Sequence, residues 1–202
     1  DFRQQMLRAE VKKLDAILIT HEHKDHIAGM DDVRAFNYKS RDAIDVYAEE
    51  RVQKAIRREF SYVFSEYQYP GVPRMRLNDI PEYGFSVHGL GIIPVRVRHM
   101  NLEIYGFRIG NFAYITDANY IPEESKEKLI GVKYLVLNAL RKEKHISHFS
   151  LREAVDFIRE ISPRKAYLTH ISHQMGLHSQ VSDELPRGIM LGYDGLSITC
   201  ED

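Results

Sequence analysis

The chain has 202 residues, 44% of them hydrophobic, which is enough for a sizeable core and unlike the composition of a disordered segment. Its 28 basic and 29 acidic residues leave a net charge of −1, so no general electrostatic drive towards nucleic acid or an anionic membrane follows. A single cysteine, Cys200, rules out a disulfide within these residues and fits a reducing compartment. No apolar run approaches the roughly 18 residues of a membrane span and there is no signal-peptide pattern, so the expected location is the cytoplasm, with no membrane partner.

Residues 1–11 carry Phe2, Met6, Leu7 and Val11 at helical spacing, a short amphipathic helix with Asp1 as its cap. The apolar run 14–19 reads as a buried strand. Directly after it comes Thr20-His21-Glu22-His23-Lys24-Asp25-His26, which places four potential metal ligands, His21, His23, Asp25 and His26, in one turn. Neutral imidazole nitrogens and a carboxylate oxygen suit zinc, manganese or iron at about 2.0–2.2 Å. A merely solvated polar loop is the bland alternative, and three histidines with an aspartate in alternating register argue against it. A helix over 29–38, a strand over 44–48 and a charged helix from Glu49 to about Phe64 follow. The aromatic stretch 60–69, closed by Pro70-Gly71-Val72-Pro73, reads equally as a core flank or as a cap over a cleft.

From Arg74 the apolar period changes to two, predicting strands over 74–80, 85–88, 92–98, 103–109 and 112–116, with Gly110-Asn111 as a tight turn. A helix is expected over 121–129 and a buried strand over 134–137. Ser150, with Glu153 three residues on, opens a capped helix through Ile161 that Pro163 terminates. Residues 165–169 form another strand, and a closing hairpin pairs 189–193 with 196–199 around Asp194-Gly195. The order of elements predicts one α/β layered domain spanning 1–202, without internal repeats.

If the first turn binds metal, later strand ends should return further ligands. His99 ends the strand Val95-Arg96-Val97-Arg98, Asp117 follows Tyr114-Ile115-Thr116, and His170 follows Ala166-Tyr167-Leu168-Thr169. One strand-end histidine is ordinarily a surface residue; three such residues beside the first cluster reverse that expectation. A carboxylate can bridge two cations, so Asp117 stands apart from the imidazoles, and two ions about 3.5–4 Å apart would form a hydrolytic clamp.

The pattern His21-x-His23-x-Asp25-His26 with His99, Asp117 and His170 resembles the metallo-β-lactamase fold of binuclear hydrolases over nearly the whole chain. Within that fold, Leu168-Thr169-His170-Ile171-Ser172-His173-Gln174 and Leu185-Pro186-x-Gly188 with Gly192-Tyr193-Asp194-Gly195 are similar to the phosphoribosyl 1,2-cyclic phosphate phosphodiesterases. The resemblance implies an αββα sandwich holding two divalent ions, zinc or manganese with iron as a third choice. It implies that His21, His23 and His99 hold one ion, that Asp25, His26 and His170 hold the other, and that Asp117 bridges. His148 falls at the place of the family's non-ligand active-site histidine, implied to contact the phosphate or protonate the leaving oxygen; unaided, it reads as a loop residue before the Ser150 cap. His173 reads as an exposed loop residue or as an orienting partner, His145 is equally open, and His88 and His178 read as surface residues. The family opens with a strand hairpin and often a cysteine-rich zinc loop, and nothing here corresponds, so the expectation is a sandwich lacking that hairpin. The chain also starts at Asp1 without a methionine, as a fragment would.

The implied reaction is hydrolysis of a small-molecule phosphodiester, a cyclic ribose phosphate in the nearest likeness, with catalytic roles for Asp25 and His148. Arg141, Lys142 and Lys144 offer positive charge to a phosphate or form a solvated basic loop. Transfer-RNA 3′-end cleavage is the rival, for which the basic residues within 51–58 are the one candidate grip; thioester or lactam hydrolysis and a non-catalytic metal-binding role are further alternatives, and a homodimer stays open.

Overall fold

The computed structural model describes residues 2–200, which divide into two compact units, 2–82 with 86–89 and 83–85 with 90–200. The Asp1 cap expected from the sequence lies outside the described residues.

The smaller unit contains α1 (Phe2–Arg8), β1 (Ala16–Leu18), α2 (Lys24–Ile27), α3 (Arg34–Ser40), β2 (Ile44–Tyr47), α4 (Glu50–Glu59) and β3 (Met75–Asn78). Its three strands are all parallel, in the order β1-β2-β3, with Ala16 opposite Asp45 and Ile44 opposite Met75. The strand over 75–78 therefore belongs with the first half of the chain rather than opening the later strand series. The helix expected over 29–38 is a 3-10 turn, Met30–Val33, running into α3. Helix α4 buries Val52, Ala55 and Ile56, the i, i+3, i+4 stripe that a helix lays on a sheet. The aromatic stretch splits: Phe60 and Val63 join this unit's core, while Tyr62, Tyr67 and Tyr69 are exposed.

The larger unit contains β5 (Leu90–His99), β6 (Leu102–Ile109), β7 (Phe112–Ile115), α5 (Glu123–Glu127), β8 (Tyr134–Asn138), α6 (Leu151–Ile161), β9 (Lys165–Thr169), α7 (His178–Glu184) and β10 (Ile189–Leu191); the short strand β4 (Phe85–Val87) is where the division falls. The sheet runs β10-β9-β8-β7-β6-β5-β4. Strands β5, β6 and β7 pair antiparallel, whereas β7, β8, β9 and β10 pair parallel. Two antiparallel steps return the original direction, so β5, β7, β8, β9 and β10 all end at the same edge. Whatever follows those strands collects there, which is why side chains distant in sequence become neighbours. The closing hairpin expected over 189–199 is not formed: β10 pairs parallel with β9, and 196–199 carry no strand. The Asp194-Gly195 turn is retained, with the Leu196 N–H donating to the Tyr193 carbonyl at 3.0 Å.

Helix α6 shows how local sequence sets an element. The Glu153 N–H donates to the Ser150 hydroxyl oxygen at 3.4 Å, while the Ser150 N–H and hydroxyl donate to Glu153 Oε2 at 2.9 and 2.7 Å. Burial would raise the Glu153 carboxyl, but the bonds from Ser150 hold it below its ordinary value. Ala154, Val155, Phe157 and Ile158 then face the core. Ser150→Ala removes the cap and should lower stability by about 1 kcal/mol, read as a lower urea midpoint at unchanged slope.

Candidate metal centre

In the smaller unit, β1 stops at Leu18 and the turn that follows carries the histidines into the start of α2. His21 is fully buried, and His21 Nε2 lies 3.0 Å from His23 Nδ1. Two nitrogens each about 2.0–2.1 Å from one tetrahedral ion would stand roughly 3.3 Å apart, so this pair has the spacing of two ligands of one cation. Thr20 Oγ1 sits 3.1 Å from the other nitrogen of the His21 ring and orients it. The His26 N–H donates to the His23 carbonyl at 3.0 Å, at the start of the single helical turn 24–27, and the His26 ring lies tilted, its centroid 4.2 Å from that of His21. Asp25 Oδ2 lies 3.3 Å from His26 Nε2, with the carboxylate well exposed. Glu22 turns to pair with Arg51 of α4, fastening the turn to that helix.

In the larger unit, His99, Asp117 and His170 stand at or just beyond the ends of three strands. His99 Nδ1 lies 2.7 Å from the Asp117 carbonyl and 2.9 Å from that of Ser147. Carbonyls only accept, so Nδ1 carries the proton and Nε2 keeps the lone pair, the tautomer a metal-binding imidazole needs. Asp117 is 2% exposed and has φ of 58°, a conformation that aspartate tolerates better than most residues. The Thr116 hydroxyl donates to Asp117 Oδ1 at 2.6 Å. His170, whose φ is 54°, places Nδ1 3.3 Å from the same oxygen. Side-chain donor atoms of Asp117 lie within 4.8 Å of those of both His99 and His170. The next residue, Ala118, is clasped by Asn138 at the end of β8: its N–H donates to Asn138 Oδ1 at 2.8 Å and its carbonyl accepts from Nδ2 at 2.9 Å.

His148 is also brought into this group. Its ring centroid lies 4.7 Å from that of His99 and 4.9 Å from that of His170, and Nδ1 is 3.8 Å from Asp117 Oδ2. Burial pushes its imidazole down to about 4; Asp117 opposes that shift, and His170, His99 and His145 add to it. His145 is half-buried, its ring 5.3 Å from that of His148. His173 is exposed on a 3-10 turn, His178 is exposed, and His88 pairs with Asp15 at 3.6 Å. The basic residues before His148 have structural partners: Arg141 donates to the Gln174 side chain and the Lys144 carbonyl, and Lys142 pairs with Glu184. Within 51–58, Arg51 pairs with Glu22 and Glu49, Lys54 pairs with Glu50, and Arg57 lies over the Phe64 ring.

The positioning residues Thr116, Asn138 and Ser147 are not marked in the sequence as ligands are. Asn138 had one signal, a polar residue ending a buried strand as the others do. The donor chemistry of both units, neutral imidazoles with a few carboxylates, fits zinc, manganese or iron.

The beta-lactamase superfamily domain matches residues 1–171. The chain belongs to that superfamily. A crystal structure of a new diphosphatase from the PhnP family is 37% identical, covers 100% of this chain and 77% of its own, and superposes with a TM-score of 0.91. Human tRNase Z, short form, is 18% identical with a TM-score of 0.69, covering 98% of this chain and 84% of its own, which is a likeness of fold. The octanoyltransferase of Porphyromonas gingivalis (strain ATCC BAA-308 / W83) is 40% identical over 204 residues, covering 100% of this chain and 41% of that protein. The chain thus spans well under half of that relative. The fold is the metallo-β-lactamase fold, a family of hydrolases. Among the described residues, no helix is long and apolar enough to cross a membrane.

Proposed function

We propose that this superfamily member is a metal-dependent phosphohydrolase that cleaves a small-molecule phosphodiester with the help of two divalent ions. The observation that carries the reading is Asp117, a buried carboxylate at a strand end with an imidazole 3.3 Å from one oxygen and a second imidazole 3.8 Å from the other. A buried carboxylate is costly to keep ionised without a cation near it. When bound, divalent ions supply Lewis acidity and bring a coordinated water's pKa towards neutrality.

The chain's own residues do the rest of the work proposed here. As the family likeness implies, His21, His23 and His99 would hold one ion, Asp25, His26 and His170 the other, and Asp117 would be shared. The exposed Asp25 carboxylate orients the attacking water by accepting its hydrogen bond. His148 holds a phosphoryl oxygen through a ring N–H, its burial keeping bulk water from competing. A diphosphate linkage, the bond class named for the PhnP-family structure, is the alternative within the same chemistry, because both reactions displace oxygen at phosphorus. Octanoyl transfer stays with the longer relative.

The test is hydrolysis of bis(p-nitrophenyl) phosphate by protein of measured metal content, with chelator and with manganese or zinc added back. Turnover should vanish on chelation and return with metal. Full turnover in chelator, or protein that takes up no divalent metal, would sink the proposal.

A further inference from the structure

Strands β9 and β10 make their last pairing at Leu168 and Leu191. Two residues beyond each lie His170 and Tyr193. The Gly192 N–H donates to the Leu168 carbonyl at 2.7 Å, and a Cβ at Gly192 would stand 2.9 Å from that same oxygen. Only glycine lets the chain run this close, so the tyrosine is set down beside the histidine by the backbone. The turn closes through the Leu196 N–H to the Tyr193 carbonyl, with Gly195 at φ of 90°. Tyr193 and His170 both line a cleft of about 400 Å³, with Thr169, Ile171, Asp194 and Leu196 among its other walls. The volume is in the range of small-ligand pockets. The tyrosine is 62% exposed, and the His178 ring stands nearly perpendicular to it, centroids 6.3 Å apart.

A large aromatic ring that meets His178 at a T-shaped angle and is otherwise largely exposed fills no core, and a glycine-dependent turn holds it at the cleft that His170 also lines. We propose that Tyr193 is a specificity-determining residue, the stacking platform for a planar heteroaromatic ring, a nucleobase or its like, on the non-reacting part of the substrate. The inference rests on the phosphohydrolase reading for the position of the phosphate. The cleft walls contain no lysine or arginine, and Asp194 places a carboxylate there, so a second phosphate is disfavoured. An alkyl chain would find Ile171, Leu196 and Ile198 to pack against, but it would desolvate the Thr169 hydroxyl and the Asp194 carboxylate and satisfy neither. A heteroaromatic ring meets both requirements, presenting its face to the tyrosine and its polar edge, with the adjoining sugar hydroxyls, to Thr169 and Asp194.

The experiment compares AMP with ribose 5-phosphate, two probes that share a phosphate and ribose and differ by the base, binding to metal-loaded protein by calorimetry. Base–aromatic stacking predicts that AMP binds more tightly by about fivefold or more. Tyr193→Ala should erase that preference and Tyr193→Phe should keep it. Equal binding of the two probes, binding of neither, or a preference that survives Tyr193→Ala would overturn the proposal. Binding is read without turnover, so the two readings fail separately. A base preference lost in Tyr193→Ala, on protein that hydrolyses no phosphodiester, would remove the hydrolase and leave the stacking subsite. Phosphodiester turnover without any base preference would do the reverse.

Discussion

Asp117→Asn is expected to reduce phosphodiester turnover by at least about 10³-fold, more than the 10–100-fold typical of losing a residue that only orients a ligand. Asparagine keeps the shape of the side chain and tolerates the positive φ of 58°, so the backbone has no reason to move. The Thr116 hydroxyl, 2.6 Å from Oδ1, can still donate to the amide oxygen. What is lost is the negative charge and one of two equivalent oxygens, the properties a shared ligand requires. Metal content per chain should therefore fall together with turnover. Stability should move the other way in chelator. A carboxylate 2% exposed is costly to ionise, and the amide relieves that cost, so the chelated variant should melt no lower than the chelated parent. In the metal-loaded proteins the order should reverse, because an ion that binds only the folded state adds stability in proportion to its affinity. A variant that keeps full turnover and full metal content would remove Asp117 from the centre. A variant that unfolds in chelator would make it a structural residue instead.

The endings of β5, β7 and β9 were legible because the sheet announces them: an apolar run stops and a histidine or aspartate follows. The capping box of α6 was legible for a similar reason, being written within four residues. Elements whose partners lie far away were harder. The segment 189–199 has alternating apolar residues around Asp-Gly, which suits a hairpin, yet β10 finds its partner through the α7 crossover and pairs parallel with β9. Strand β3 has period-two character like the later strands, but its partner is β2, some 30 residues earlier. Helix α2 is a single turn inside the ligand stretch, too short for any periodicity to show. The residues that aim the imidazoles were hidden most thoroughly. His99 is held by the carbonyl of Ser147, 48 positions on, and a backbone carbonyl leaves no trace in residue identity.

Leu135→Ala should lower stability by about 3–5 kcal/mol, the upper part of the range for buried leucines and a large share of the 5–15 kcal/mol that a domain usually has. Leu135 is fully buried in β8, a strand buried along its whole length between two parallel neighbours. Its lateral partners on the same face are Ala113 of β7 and Ala166 of β9. Neither alanine can reach into the space a missing isobutyl group leaves, so the cavity stays open and its lining loses contacts outright. The reading is a fall in urea midpoint without a change in slope, which separates a lost contact from a change in the unfolded chain. The strand ends at Asn138, whose amide clasps Ala118 next to Asp117. Leu135→Ala leaves that clasp in place, so the variant should bind metal and turn over substrate normally at temperatures well below its midpoint. If turnover fell while the protein remained fully folded, β8 would be setting the geometry of the centre as well as carrying its share of the core.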